Sequence, residues 1–299
     1  MIVLIYIISI SWLLYKKIFM EKILLALDPA NVHRNTVDFA CFIARLTHSR
    51  LTGVFLENLL AEDRPLLQGT AAGPGPAAQT HATLPTGNEA PYLVTEEIIR
   101  NFKDSCHWRS VSALTHRDRG VPIEEIVEES RFADLLIIDA ETSFSRKNEP
   151  LPARFVKDVL QGSECPVIIA PYSFDSIDDI IFAYNGSSSS VFAIKQFTHL
   201  FPQLRQKKVT VVNVRSNEET AIEDQFKMKE WLQQHYDEME FKILAGDPSD
   251  ELFGFLIERK NSIVVMGAYG RSMLSRFLKP SHARLIVKTV NLPIFIAHH

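Results

Sequence analysis

The stretch that decides the fold is NSIVVMGAYGRSMLSRFLKPS, which runs from Asn261 to Ser281. Within it, Ile263 to Met266 is a short apolar run rich in β-branched residues, a pattern typical of a strand buried on both faces of a sheet. The run leads into Gly267 and Gly270, where the missing Cβ lets the backbone approach a ligand closely. Ser281 can N-cap a following helix, whose N–H groups and positive dipole end suit a phosphate. The stretch therefore predicts a phosphate loop of an α/β nucleotide site.

Apolar runs of this kind alternate with amphipathic helical patterns along the chain. Strands are predicted at Ile23–Leu27, Leu51–Leu56, Val111–Thr115, Asp134–Ile138, Val167–Ala170, Ile180–Tyr184, Val209–Val214, Lys242–Ala245, Ile263–Met266 and Ile294–Ala297. Helices are predicted between them, including one from about Tyr92 to His107. The segment from Ala61 to Ala90 is rich in Gly, Pro, Ala and Thr and predicts a flexible loop. The rhythm predicts an α/β fold with doubly wound parallel sheets.

The pattern of the first half recurs in the second half. Gly120-Val-Pro-Ile matches Gly246-Asp-Pro-Ser, Leu135–Ile138 matches Ile263–Met266, and Pro166-Val-Ile-Ile-Ala matches Pro293-Ile-Phe-Ile-Ala. Matching positions are 126 to 128 residues apart. A repeat at that distance, about the length of one small domain, predicts two tandem copies of one fold. We place the boundary near residues 173–176, so that residues 20–173 form a first domain and residues 174–299 a second.

The glycine stretch also carries a family resemblance. Gly267-Ala-Tyr-Gly270, nine residues and then Pro280-Ser281 resembles the ATP loop of universal stress proteins, in which Gly-x-x-Gly is followed nine residues later by Gly-Ser or Gly-Thr. Pro280 replaces the third glycine and contributes no N–H. The resemblance implies two tandem Rossmann-like domains of the adenine nucleotide alpha-hydrolase type.

The same resemblance implies a site for ATP or ADP in the second half, with Mg²⁺ bound through the phosphates. Asn185 stands where the family has an aspartate that meets adenine, and its amide offers both donors and acceptors. The residues implied for this site are Ala183, Asn185, Val214, Met266, Gly267, Gly270, Arg271 and Ser281.

The first half is predicted to have lost its nucleotide site. Asp28 keeps the position on the adenine side, but Asp139-Ala-Glu141 replaces the glycines on the phosphate side. Two carboxylates at that point would repel a phosphate. We therefore interpret the first half as a structural or partner-binding copy.

Other chemistry is not indicated. A net charge of -4 predicts no basic surface for nucleic acid. No Cys/His cluster has zinc spacing, and no set of residues indicates a catalytic or metal site. The three cysteines fit reduced thiols that fill apolar space. These features favour a non-catalytic stress-response protein.

Two alternatives stay open. One is a nucleotide-free scaffold that binds protein partners. The other is an enzyme of the related ATP-pyrophosphatase or electron-transfer-flavoprotein lineage, although the Ser-Gly-Gly-x-Asp-Ser loop of the former is not matched by Tyr184-Asn-Gly-Ser-Ser. Weak ATP hydrolysis is compatible with the first interpretation.

The ends of the chain carry two further expectations. Residues 1–19 form an apolar extension, and residues 2–17 are shorter than the roughly 20 apolar residues that span a bilayer. We expect Met20 to be the natural start of a cytoplasmic protein, with a membrane anchor at residues 2–17 as the alternative. Each half also ends in a short apolar strand, and an unpaired strand edge is a liability. The two halves are therefore expected to pair through these strands as an intrachain pseudo-dimer.

Overall fold

The computed structural model describes residues 20–58, 89–145, 149–215, 224–268 and 290–297, with side chains at 89–93 excepted. Its strands are β1 (Lys22–Leu27), β2 (Arg50–Asn58), β3 (Ala113–Gly120), β4 (Leu135–Asp139), β5 (Val167–Ala170), β6 (Asp179–Ala183), β7 (Lys208–Arg215), β8 (Met239–Ala245), β9 (Ser262–Gly267) and β10 (Ile294–Ala297). Its helices are α1 (Arg34–Thr47), α2 (Glu89–Trp108), α3 (Pro122–Ser130), α4 (Arg154–Gly162), α5 (Ser188–Leu200), α6 (Gln225–Leu232) and α7 (Pro248–Ile257), with a 3-10 turn at Pro202–Leu204.

The ten strands of the described ranges form one sheet in the order β3-β2-β1-β4-β5-β10-β9-β6-β7-β8. Neighbouring strands are parallel everywhere except at β5 and β10, which are antiparallel. Each half thus has the same internal order of strands. In each half the first strand lies between the second and the fourth, so the chain adds strands on one side of the first strand and then on the other. The predicted α/β fold with doubly wound parallel sheets is confirmed.

Two apolar layers cover the sheet, one on each face, because successive strand side chains point to opposite sides. Ile23 and Leu25 of β1 face a layer built with α1, α2, α5 and α6. Leu24 and Ala26 face the other layer, built with α3, α4 and α7. Both layers run through the two halves without interruption, so burial of apolar surface joins the halves as well as stabilising each one.

The repeat predicted from the Gly-x-Pro stretches is visible in three dimensions. Pro122 and Pro248 are each the first residue of a helix, where proline is well tolerated. The preceding glycines, Gly120 and Gly246, each lie against the glutamate five residues on, so that a Cβ at either glycine would collide with that side chain. Gly246 also has φ of +143°, a conformation that other residues rarely adopt.

Some predicted boundaries are wrong. The strand predicted at Val111–Thr115 is β3, which continues to Gly120 because it pairs with β2 as far as Asn58. Its far end, His-Arg-Asp-Arg, lacks the apolar pattern because β3 is an edge strand of the sheet. Helix α2 begins at Glu89, so the last two residues of the predicted loop at 61–90 are helical.

The last strands of the two halves join the sheet into one. Phe295 of β10 lies opposite Ile168 of β5, and Phe295 is fully buried. Beside them Asn291 accepts a hydrogen bond from the Ser173 backbone N–H at 3.0 Å and donates to the Ser173 hydroxyl at 2.7 Å. The pairing of these two strands, expected from their exposed edges, is therefore observed.

Several predictions lie outside the described residues. They concern the extension 1–19, the loop at 61–88, and Gly270, Arg271, Pro280 and Ser281. In the described ranges, no helix combines the length and the apolar character that a bilayer crossing requires.

Candidate functional site

The candidate site lies at the carboxyl edge of the second half, between β6 and β9. These strands are neighbours although six other elements separate them in sequence, so their ends form the crevice where open α/β sheets bind ligands. Ala183 is directly opposite Met266, and both side chains are about 1% exposed. Val214, near the end of β7, is half-buried and packs against the same apolar layer. The structure thus places Ala183 and Met266 side by side, with Val214 two residues beyond Val212, the β7 partner of Ala183.

A polar turn follows β6 and leads into α5. Asn185 accepts hydrogen bonds at its side-chain oxygen from the Ser187 backbone N–H (3.1 Å) and hydroxyl (2.6 Å). The Ser187 hydroxyl oxygen in turn accepts from the Ser190 backbone N–H and so N-caps α5. A backbone N–H can only donate, so the oxygen of the Asn185 amide is the atom held by the turn, and the turn does not use its NH₂ group as a donor to Ser187. The serine run at residues 187–190 thus supplies the N-cap of α5.

Gly267 lies at the end of β9, in close contact with the first turn of α5. A Cβ built on Gly267 would lie 2.6 Å from both the carbonyl carbon and the oxygen of Ser189, closer than real Cβ atoms come to backbone. A glycine is therefore required here for packing alone, whatever else it does. The role of Ser189 in this contact was not indicated by the sequence, because the two residues are far apart along the chain.

The strand registers identify the equivalent residues of the first half. Asp139 lies opposite Ala170 as Gly267 lies opposite Ala297, so Asp139 stands where the second half has glycine. In the same register Leu135 of β4 is equivalent to Ile263 of β9, and these residues pair with Ile23 and Ile180. Asp28 and Asn185 each follow five residues after that pair of isoleucines, so Asp28 is the counterpart of Asn185. Asp28 forms the same kind of turn as Asn185, accepting from the Ala30 backbone N–H at 2.9 Å. The predicted correspondence of these positions is therefore correct.

In the first half a carboxylate occupies the end of the fourth strand. Asp139 accepts a hydrogen bond from the Thr36 hydroxyl at 2.6 Å and lies 2.8 Å from Nδ1 of His33. His33 is the N-cap residue of α1 and Thr36 lies in its first turn, so the carboxylate sits at the positive end of this helix. Its other oxygen accepts from the Glu141 backbone N–H, and Glu141 accepts from the Tyr172 hydroxyl at 2.6 Å. The sequence predicted the two carboxylates but not their partners His33, Thr36 and Tyr172.

The first turns of α1 and α5 both lack an acidic residue, and they differ in what lies beside them. No carboxylate of the described residues takes the place beside α5 that Asp139 has beside α1. The starts of α3 and α7, in contrast, each carry two acidic residues. The described residues at the carboxyl edge of the second half are therefore compatible with a bound anion. The carboxyl edge of the first half already holds an anionic group, the Asp139 carboxylate.

Asp28 also has an altered protonation equilibrium. Burial raises the pKa of its carboxyl above the usual value of 3.8, and the hydrogen bond from Ala30 only partly offsets this. An uncharged Asn at the equivalent position 185 carries no such desolvation cost.

The remaining predicted site residues, Gly270, Arg271 and Ser281, lie outside the described residues. Among the residues that are described, no group of three or more His, Cys, Asp or Glu side chains is arranged to hold a metal ion. A cleft of about 570 Å³ opens at the opposite edge of the sheet, where Lys22, Thr52 and His116 line the amino ends of β1, β2 and β3. Ligands of open α/β sheets bind at the carboxyl edge, so this cleft is not the counterpart of the candidate site.

Comparison with known proteins agrees with the fold. Residues 176–298 match the model of the universal stress protein family. A universal stress protein from Archaeoglobus fulgidus DSM 4304 superposes over 93% of this chain and 96% of its own, with a TM-score of 0.64 at 15% identity. A protein of Pseudomonas aeruginosa UCBPP-PA14, provisionally given the same family name, superposes over 93% of both chains with a TM-score of 0.56 at 13% identity. No curated protein sequence matches the chain.

Proposed function

Because residues 176–298 match the model of the universal stress protein family, we propose that the chain is a tandem stress-response protein of this family that binds ATP or ADP in its second half. Binding rather than turnover is its function, and Mg²⁺ enters with the nucleotide through the phosphates. The solved structures cited above support the fold over nearly the whole length of the chain.

The observation that carries the proposal is the exchange of Asp139 for Gly267 at equivalent strand ends. In the first half a carboxylate already compensates the positive end of α1. In the second half the matching position has no side chain, and the first turn of α5 has no acid. Among the described residues, no carboxylate takes the place of Asp139 at the carboxyl edge of the second half, so an anionic ligand would not meet there the repulsion that Asp139 exerts in the first half.

We assign roles within this site as follows. Ala183, Val214 and Met266 line the base and the ribose, and the NH₂ group of Asn185 is the donor presented beside them. Gly267, Gly270, Arg271 and Ser281 hold the phosphates, with Arg271 supplying positive charge. The full set for this role is Ala183, Asn185, Val214, Met266, Gly267, Gly270, Arg271 and Ser281.

The first half serves as the structural or partner-binding copy in this proposal. Its equivalent edge is occupied by the hydrogen-bonded side chains of Asp139 and Glu141. The two halves act as an intrachain pseudo-dimer, with β5 and β10 as the joint between them. Residues 20–173 and 174–299 are the two domains, and the protein acts in the cytoplasm.

A nucleotide-free scaffold is the second candidate, and one observation favours it. Gly267 is explained by its contact with Ser189 alone, so a glycine at this position does not by itself require a ligand. In that case the glycine would persist for packing and the chain would act through protein partners. Binding measurements separate the two candidates directly.

Calorimetric titration of the full chain with MgATP and MgADP tests the proposal. We expect one nucleotide per chain for the wild type. Asn185→Ala should weaken binding and Asp28→Ala, its matched control in the first half, should leave it unchanged. Gly270→Asp should abolish binding because a carboxylate would stand among the phosphates, and Ser281→Ala should weaken it about 5-fold, or ~1 kcal/mol.

Two outcomes would overturn the proposal. Loss of binding in Asp28→Ala but not in Asn185→Ala would show that the site is in the first half. No heat with either nucleotide would favour the scaffold. Chromatography of the nucleotide after incubation adds a third arm, since steady formation of ADP or AMP would indicate an enzyme instead.

A further inference from the structure

Two of the three cysteines meet in the apolar layer of the first half. Cys41 lies on α1 and Cys106 near the end of α2, 65 residues apart in sequence, and their sulfur atoms are 3.7 Å apart. Both thiols are free and both residues are at most 1% exposed. Formation of a disulfide requires the sulfurs to approach to about 2.05 Å, a closure of less than ~2 Å between side chains already in contact.

The third cysteine provides a contrast within the same chain. Cys165 lies in the apolar layer on the other face of the sheet, and its sulfur contacts the hydroxyl of Ser163 rather than another thiol. Burial raises the pKa of the Cys165 thiol to about 12, so it is a poor nucleophile. The three cysteines are thus similar in burial and differ in whether a second thiol is within reach.

The charges around the pair distinguish its two members. The hydrogen bond from Cys106 lowers the pKa of Cys41, and the same interaction raises the pKa of Cys106. The Arg109 guanidinium, which lies 2.5 Å from the Asp38 carboxylate, adds a positive charge that favours the thiolate at both sulfurs. Asp38 opposes this at Cys41 and Arg45 adds to it. Cys41 is accordingly the attacking sulfur and Cys106 the resolving one.

We propose that Cys41 and Cys106 form a modification site, a dithiol that hydrogen peroxide oxidises to an intramolecular disulfide linking α1 to α2. The Cys41 thiolate attacks a peroxide oxygen, the O–O bond breaks, and sulfenic acid and hydroxide form. The Cys106 sulfur then attacks the sulfenic sulfur, the S–O bond breaks, and the hydroxyl leaves as water with the Cys106 proton. In sum two thiols and one peroxide give one disulfide and two waters.

The burial of the pair selects the oxidant. Residues exposed by 1% or less offer no surface to a bulky or charged disulfide such as oxidised glutathione. Hydrogen peroxide is small and uncharged, so it needs the least opening of the contact between α1 and α2. This site is independent of nucleotide binding in the second half.

The test uses the wild-type chain, so it does not depend on a variant that folds. The protein is treated with hydrogen peroxide under native conditions, the peroxide is removed with catalase, and the chain is denatured and alkylated with N-ethylmaleimide. Non-reducing peptide mass spectrometry should find the Cys41 and Cys106 peptides cross-linked, with a mass loss of about 2 Da, and Cys165 alkylated. After reduction all three cysteines should be alkylated.

Variants assign the two roles. Cys165→Ser should retain the cross-link, and Cys106→Ser should abolish it and leave oxygen adducts at Cys41. Cys41→Ser should abolish it and leave Cys106 alkylated, with folding of each variant checked by circular dichroism. Alkylation of all three cysteines after peroxide treatment of the wild type would overturn the proposal. So would cross-links that involve Cys165 or a second chain, or a cross-link that forms only when peroxide is added in denaturant.

Discussion

Replacing Gly267 with alanine tests how closely β9 packs on α5. The added Cβ would lie 2.6 Å from the backbone carbonyl carbon and oxygen of Ser189. The opposing atoms belong to the first turn of a helix rather than to a flexible side chain, so either the strand end or the helix must move. Overpacking of this kind costs about 1–3 kcal/mol, while alanine lowers the entropy of the unfolded chain and returns about 0.4–1 kcal/mol.

Gly254→Ala is the matched control. Gly254 is exposed on α7, and a Cβ there would meet nothing within 4 Å. The same chemical change should therefore stabilise the protein by about 0.5–1 kcal/mol through helix propensity. With the entropic return subtracted, the net cost of Gly267→Ala is up to about 2.6 kcal/mol, so the two variants are expected to differ by about 0.5–3.6 kcal/mol, with Gly267→Ala the less stable.

Urea unfolding followed by far-UV circular dichroism measures this difference. Gly267→Ala should shift the midpoint to lower urea and Gly254→Ala to higher urea, with little change in the slope of the transition. Equal shifts for the two variants would refute the packing argument, because the contact with Ser189 would then impose no steric limit on residue 267.

Two further predictions concern the turns that begin α1 and α5. Ser187→Ala should destabilise the chain by about 0.5–2 kcal/mol, because it removes the N-cap of α5, whereas Ser188→Ala, an exposed neighbour, should have little effect in the same urea titration. Asp28→Asn keeps the acceptor for the Ala30 N–H and removes a half-buried charge. Because the pKa of Asp28 is raised in the folded protein, its carboxyl destabilises the fold progressively as pH rises above 3.8. Asp28→Asn should therefore be more stable than the wild type at pH 7 and equally stable at the lowest pH. A variant less stable than the wild type at pH 7 would contradict this.

The architecture could be predicted because its determinants are local or periodic. Buried strands such as Val167–Ala170 are short apolar runs, and the Gly-x-Pro stretches repeat at a fixed distance. Edge strand β3 was predicted too short because its far half carries alternating charges that have no apolar period. The equivalence of Asp28 with Asn185 followed from their places after matching strands.

What the sequence did not predict depends on contacts between distant residues. The bond from Thr36 to Asp139 joins residues 103 positions apart, and the contact between Cys41 and Cys106 depends on how two helices pack. The backbone of Ser189 against Gly267 belongs to the same class. The contacts of Asp139 and Gly267 follow from the sheet order, which places β4 beside β1 and β9 beside β6 although these strands are not consecutive in the chain.

The central claim is that nucleotide binds in one half of a two-fold repeat. Native mass spectrometry of the full chain with increasing MgATP counts the bound nucleotides directly. We predict a single adduct per chain that persists in Asp28→Ala and is lost in Gly270→Asp. Two adducts per chain, or a single adduct that disappears in Asp28→Ala, would contradict the claim.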